Sequence, residues 1–322
     1  MHTAVTDYLK SLEREGRART AECYALGLAN LEQWLGQNGG NVLAVTLLEL
    51  EQFQRWLAQD YRSPLGKALG RGTQSTRLSS VKAFYAWAYA RGLLPSDPAR
   101  KLMLPVIKRG TVSFAHLTQQ EATALVQTQA RLVLSKKIGS LSWARELRNL
   151  AMLCLALATG RRRMSFLALR VEHLDFTRKE IRIEWEKGKA GRVLPCAAWA
   201  LDVVKEYVEK ARPVLLNGRA DEGWLFVGNR IPRVTKVHLR ELLQSVQKRA
   251  IVENPDLEDL AAKKLTTHSL RVTFAMLMFL NGANIRSINE LLLHSKLSTT
   301  SRYMPLDVEH LRRACVLAHP RA

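Results

Sequence analysis

The residues of this chain best suited to chemistry fall in one stretch, Leu265 to Met304, which holds His268, Arg271, His294 and Tyr303 in the order H-x-x-R and then H-x(8)-Y. A guanidinium offers phosphate oxygens a fixed fork of donors, an imidazole accepts or donates a proton near neutral pH, and a phenol can attack phosphorus. Together they suit phosphoryl transfer, a set of groups that needs no metal ligands.

Positioning them requires two helices and a turn. Phe274, Leu277, Met278 and Asn281 recur at i, i+3, i+4, i+7, and Ile285, Ile288 and Leu292 repeat the pattern, so each segment predicts a packed amphipathic helix with the polar residues at its ends. Gly282 stands where a left-handed residue would terminate the first helix. Ser298-Thr299-Thr300 supplies N-caps for a short helix bearing Tyr303.

The order and spacing of these residues resemble the C-terminal signature of the tyrosine recombinases, the phage integrase family. The resemblance extends upstream. Thr159-Gly160-Arg161-Arg162-Arg163-Met164-Ser165-Phe166-Leu167-Ala168-Leu169-Arg170 resembles the family's T-G-x-R-x-x-E-x-x-x-L box, which implies Arg162 as the first catalytic arginine. Arg161 and Arg163 stand where the family is usually apolar, and Ser165 stands at its acidic position. Both flanking arginines are expected to contact DNA while remaining spectators to cleavage. Glu180 to Pro195 alternates Ile181, Ile183 and Trp185, turns through Lys187-Gly188-Lys189-Ala190-Gly191 and returns through Val193-Leu194, as a β-hairpin would. The resemblance implies a catalytic lysine on that turn, Lys187, with Lys189 as runner-up and otherwise a DNA contact.

The resemblance also implies a mechanism. Tyr303 attacks the scissile phosphate to give a 3′-phosphotyrosyl bond, and rejoining to another 5′-hydroxyl completes recombination. Free tyrosine titrates near pH ~10, so attack at neutral pH needs a proton acceptor, for which His268 is the candidate. Arg162 and Arg271 neutralise the phosphate oxygens, His294 adds a hydrogen bond, and Lys187 protonates the leaving 5′ oxygen. No cofactor or metal is implied. Two alternatives remain open: a DNA-binding protein of the same fold with weak or no catalysis, and a DNA-relaxing enzyme of the type IB topoisomerase kind.

Composition agrees with a polyanionic partner. The 322 residues carry a formal charge of +20, spread along the chain. The longest apolar run, Leu150 to Ala158, is too short to span a bilayer, and the N-terminal MHTAVTDYLK has no hydrophobic signal core, so a cytoplasmic, nucleoid-associated protein is expected, not a membrane one. The four cysteines, Cys23, Cys154, Cys196 and Cys315, lack metal-ligand spacing and read as reduced thiols.

The predicted fold is mainly α: a helical N-terminal core-binding domain over 1–105, SAM-like by resemblance, a linker over 101–113, and an α-rich catalytic domain with a small β-sheet or hairpin over 114–322. Four apolar stripes, beginning at Val5, Tyr24, Leu50 and Leu78, predict the first domain's helices, the third opened by a Thr46-x-x-Glu49 capping box. Arg17, Arg19, Lys67, Arg71, Arg77 and Lys82 cluster about the starts of the second and fourth and are candidate DNA contacts. In the second domain Thr118-x-x-Glu121 opens a helix, about Trp143 to Ala158 forms a core helix, and further helices are expected over Trp199 to Ala211 and Val237 to Val252, with a short strand over Trp224 to Val227. The partners implied are double-stranded DNA with inverted-repeat sites, sister subunits in a tetramer on paired sites held by a C-terminal tail (Val308, Leu311, Cys315), and an accessory DNA-bending or directionality protein; packing of that tail on its own domain is the alternative left open. An arm-binding domain before residue 1 is not expected, which favours the simpler systems of integration, excision or resolution.

Overall fold

The computed structural model describes residues 2–106, 116–184 and 191–293. The chain divides into two compact units, Met1–Val112 and Ser113–Ala322.

The first unit contains α1 (Thr3–Arg14), α2 (Ala18–Gln37), α3 (Leu47–Gln59) and α4 (Arg71–Ala90). Their predicted stripes are buried except at half-buried Leu9 and Tyr24: Val5, Tyr8 and Leu12 on α1, Leu28, Leu31 and Leu35 on α2, Leu50, Phe53 and Leu57 on α3, and Leu78, Val81, Tyr85 and Ala88 on α4. The Thr46 and Glu49 side chains close a reciprocal capping box at the start of α3. Fully buried Tyr85 satisfies its hydroxyl by donating to the Val42 carbonyl at 2.9 Å. Helices α2 and α4 meet at Gly27, where a Cβ would lie 2.0 Å from Ser80 Oγ and 2.8 Å from the Arg77 carbonyl oxygen. Only glycine lets the two backbones come so close.

The second unit contains α5 (Gln119–Leu134), α6 (Leu141–Thr159), α7 (Arg163–Leu167), the strands β1 (Leu174–Asp175), β2 (Glu180–Ile183) and β3 (Arg192–Pro195), then α8 (Ala198–Glu206), α9 (Arg212–Leu216), α10 (Lys236–Glu253), α11 (Glu258–Ala262), α12 (Thr267–Leu280) and α13 (Ile285–Leu291). Helix α6 is its axis. Trp143 and Leu147 begin a run that becomes buried on every face from Leu150 to Leu157, as its unbroken apolar sequence predicts. Thr118 and Glu121 form the capping box of α5, and the buried Glu121 carboxylate also accepts from Lys263 Nζ at 2.6 Å. The strands pair antiparallel in the order β1-β2-β3, with Ile181 opposite Leu194.

Two expectations need correction. Trp224 to Val227, with Leu225, Phe226 and Val227 buried, bends and forms no strand, only a bridge between Trp224 and Arg170. Its polar groups are met by a mixture of backbone and side-chain partners: the Leu225 amide donates to the Leu169 carbonyl at 2.9 Å, the Val227 carbonyl accepts from Arg148 Nη1 at 2.8 Å, and the Val227 amide donates to Tyr207 Oη at 3.1 Å. The helix expected over Trp199 to Ala211 starts at Ala198, widens into a π-turn over Tyr207–Ala211 and continues as α9 to Leu216.

The described cysteines carry free thiols, Cys23 exposed on α2 and Cys154 and Cys196 buried. Among the described residues no helix is long and apolar enough to cross a membrane.

Candidate functional site

The site is assembled at helix ends. Helix α6 stops at Gly160, whose left-handed backbone (φ 54°) reverses the chain in a space too tight for a side chain, with Leu292 and Phe274 3.0 Å from where a Cβ would be. Arg161 and Arg162 follow before α7 begins, and Arg162 is the extended N-cap residue of that helix (φ −63°, ψ 142°). The three arginines therefore do not fan out along a regular helix. Arg161 turns inward and is only 4% exposed, Arg162 is half-buried, and Arg163 is exposed. The expectation that Arg161 lies on the DNA-contacting surface is thus corrected: its Nε donates to the Thr159 carbonyl at 3.2 Å and its Nη2 to the Leu291 carbonyl.

Helix α12 begins at a capping box in which Thr266 Oγ1 accepts from the Ser269 amide at 3.1 Å and Ser269 Oγ accepts from the Thr266 amide at 2.7 Å. That cap fixes the turn bearing His268. Arg271, one turn on, is 2% exposed, and its Nη1 and Nη2 donate to the carbonyls of Gly160 (2.8 Å) and Leu292 (2.6 Å). His268 belongs to an exposed turn, yet desolvation of its ring, followed by the positive charges of Arg271 and Arg162, holds its pKa below the ordinary 6.5. His268, Arg271 and Arg162 thus come together from α12 and the start of α7. A neutral imidazole beside two guanidiniums can accept a proton while the cations attract an anion.

Next to this cluster is a cavity of about 330 Å³ lined by Arg163, Lys236 and Arg240 and by Thr266 and Thr267 at the start of α12. Lys236 and Arg240, on the first turns of α10, were not singled out from sequence. Their i, i+4 spacing on one helix face was the available signal.

The stripe Phe274, Leu277, Met278 and Asn281 is only partly covered, contrary to expectation. Only Phe274 is buried, and all four line a largely apolar cavity of about 550 Å³ with Val126, Leu157 and Trp199. The opposite face of α12 does the packing, through Val272, Ala275 and Met276. Gly282 has the left-handed conformation expected of it (φ 86°).

A family model described as the phage integrase family matches residues 116–310, and one described as phage integrase, N-terminal SAM-like domain, matches residues 5–92. The chain belongs to the phage integrase family. Its enzyme class is tyrosine recombinase, which cleaves and rejoins DNA. This integrase-family chain is 31% identical over 306 residues to tyrosine recombinase XerC of Lactobacillus delbrueckii subsp. bulgaricus, covering 94% of this chain and 93% of the relative. Tyrosine recombinase XerD of Haemophilus influenzae is 28% identical over 314 residues, covering 96% and 95%. The fold is shared with the XerH site-specific recombinase solved on a palindromic difH substrate, at a TM-score of 0.71 and 16% identity, covering 96% of this chain and 84% of that one.

Of the integrase-family positions, Lys187, Lys189, His294 and Tyr303 lie outside the described residues. The imidazole of buried His173 sits 3.2 Å from Glu184, the residue after β2, and α13 ends three residues before His294. In the first unit Arg17, Arg19, Lys67 and Arg71 are exposed and Arg77 is half-buried. Lys82 is engaged with its own unit, its Nζ donating to the carbonyls of Leu102 (2.7 Å) and Arg100 (3.2 Å). Among the described residues no group of His, Cys, Asp and Glu could hold a metal ion.

Proposed function

We propose that this protein is a site-specific recombinase that breaks and rejoins DNA through a 3′-phosphotyrosyl intermediate on Tyr303, acting in the integration, excision or resolution of a mobile element or replicon. The observation that carries the reading is the electrostatic meeting of Arg162, Arg271 and His268. Two guanidiniums supply the charge that a phosphorane gathers in the transition state. A histidine kept neutral is poised to take the phenol proton. His294 contributes a hydrogen bond, and Lys187, on the turn between β2 and β3, protonates the leaving 5′ oxygen. The reaction conserves the energy of the diester in the phosphotyrosyl bond, so neither nucleotide nor metal is consumed.

The DNA is a pair of inverted-repeat sites. Arg17, Arg19, Lys67, Arg71 and Arg77 from the first unit, with Arg163, Lys189, Lys236 and Arg240 from the second, neutralise its backbone. Four subunits act on two paired sites in the cytoplasm, at the nucleoid, with an accessory DNA-bending or directionality protein. Each subunit extends its tail beyond Tyr303, in which Val308, Leu311 and Cys315 keep helical spacing, to a neighbour. The apolar cavity beneath Phe274 and Leu277 supports this exchange, because it offers such a stripe a matching surface.

The test is Tyr303→Phe on a nicked duplex selected by the wild-type chain from random DNA. The variant should bind like wild type and form no covalent adduct. A wild-type chain that binds and forms no adduct would leave a non-catalytic DNA-binding protein. Relaxation of supercoils without strand exchange would leave a topoisomerase.

A further inference from the structure

We propose that Arg161 is a positioning residue for the cleavage reaction, drawing the C-terminal end of α13 onto that of α6 and so setting where the chain bearing His294 and Tyr303 starts. Two guanidiniums form parallel bridges between these ends. Arg161 joins the carbonyls of Thr159 and Leu291, and Arg271 joins those of the next residue on each side, Gly160 and Leu292. The last carbonyls of a helix have no partner within it and carry the negative end of its dipole, so a buried cation satisfies them by hydrogen bond and by charge. The bridge is specific to this chain's arginine, because the family that the box resembles is usually apolar at position 161.

Helix α13 needs such a hold. Its seven residues are too few for a helix to persist alone. Ile288 and Leu292 pack it against Val272, Ala275 and Met276 of α12, a contact that is strong but weakly directional. The hydrogen bonds from Arg161 and Arg271 are directional and fix its rotation and axial position. Immediately after the clamped carbonyls, Leu293 adopts a left-handed backbone (φ 52°) although it is a leucine, and it is buried at 3% exposure. That conformation crowds a residue with a Cβ against the following carbonyl and persists only where the surroundings impose it. The clamp imposes it one residue before His294, which gives an apparently redundant arginine control over the direction in which the catalytic segment leaves the core.

This inference rests on the proposed roles of His294 and Tyr303, and its test separates the two. Arg161→Leu, Arg161→Lys and Arg161→Gln would be made in the full chain and compared on the selected nicked duplex and by hydrogen exchange. The leucine variant should bind the duplex within about threefold of wild type while its single-turnover rate of adduct formation, at saturating protein, falls at least tenfold. Exchange should quicken across α13 and stay unchanged in α6 and α10. Lysine, which can still donate to a carbonyl, should recover part of the rate. Wild-type rate and exchange in the leucine variant would overturn the proposal, as would a rate loss that tracks loss of DNA affinity. If leucine unfolds the unit, glutamine, whose shorter neutral side chain cannot span both carbonyls, carries the same comparison, and a wild-type rate together with wild-type exchange in glutamine would overturn the proposal. Should wild type itself form no adduct, the functional reading fails, and exchange in α13 still decides whether Arg161 holds that helix.

Discussion

Arg192, the first residue of β3, ion-pairs with Glu290 on α13, so the β2–β3 pair is tied to the helix that precedes His294 in sequence. Both side chains are about half exposed, at 49% and 57%, so the pair contributes little to stability and is screened by salt. A double-mutant cycle with Arg192→Ala and Glu290→Ala, read by urea denaturation, should give a coupling below about 1 kcal/mol that shrinks further at high salt. A coupling of several kcal/mol would mean that the hairpin and α13 fold as one rigid element.

His268 titrates below the ordinary 6.5, first because its ring is desolvated and then because Arg271 and Arg162 repel a proton. Nuclear magnetic resonance should show its titration moving toward 6.5 in Arg162→Ala. The stability effect has a definite sign. The unfolded chain takes up the proton first as pH falls, so the contribution of neutral His268 is complete above 6.5 and is lost as pH drops from there to the folded value. Cleavage should follow, with an acid limb below 6.5 that rises in Arg162 variants retaining measurable rate.

Arg162 and Arg163 should separate by the kind of defect they cause. Arg162→Ala should lower cleavage by about 10² to 10³-fold with most binding intact, since a guanidinium is worth most against transition-state charge. Arg163→Ile should reduce binding instead and flatten its salt dependence by about 0.9 log unit per log unit of salt, one phosphate's worth. The reverse pattern in filter-binding and single-turnover assays would shift the assignment by one residue.

Gly27→Ala should destabilise the first unit by about 1–3 kcal/mol, because the added methyl collides with Ser80 Oγ and the Arg77 carbonyl and forces α2 from α4. Adding Ser80→Ala should recover only part of the loss, since the Arg77 backbone stays in the way. Thermal denaturation of the four chains measures both effects.

Much of the fold was legible because the signals were local. The two T-x-x-E boxes, the stripes of α1 to α4 and the stop at Gly282 involve residues within one or two turns of each other. Of the described site residues, Arg162, His268 and Arg271 were singled out by order and spacing, and their supports were not. Arg161 resembles any other member of a basic triplet, and what buries it is the carbonyl of Leu291, 130 residues away. Trp224 to Val227 has the composition of a strand, and only the distant Arg148 and Tyr207 show that Val227 meets its polar groups on side chains and not on a partner strand. The stripe on α12 has helical period, but period alone does not say which of two apolar faces is covered.

The cysteines offer a practical handle. Burial pushes the thiols of Cys154 and Cys196 up to about 12 and about 11, so near neutral pH both are protonated, enclosed and unreactive toward maleimides. Cys23 on α2 is exposed. With Cys315 replaced by serine, a single fluorophore attached at Cys23 would report when the first unit engages DNA, while the chemistry of the second proceeds unlabelled.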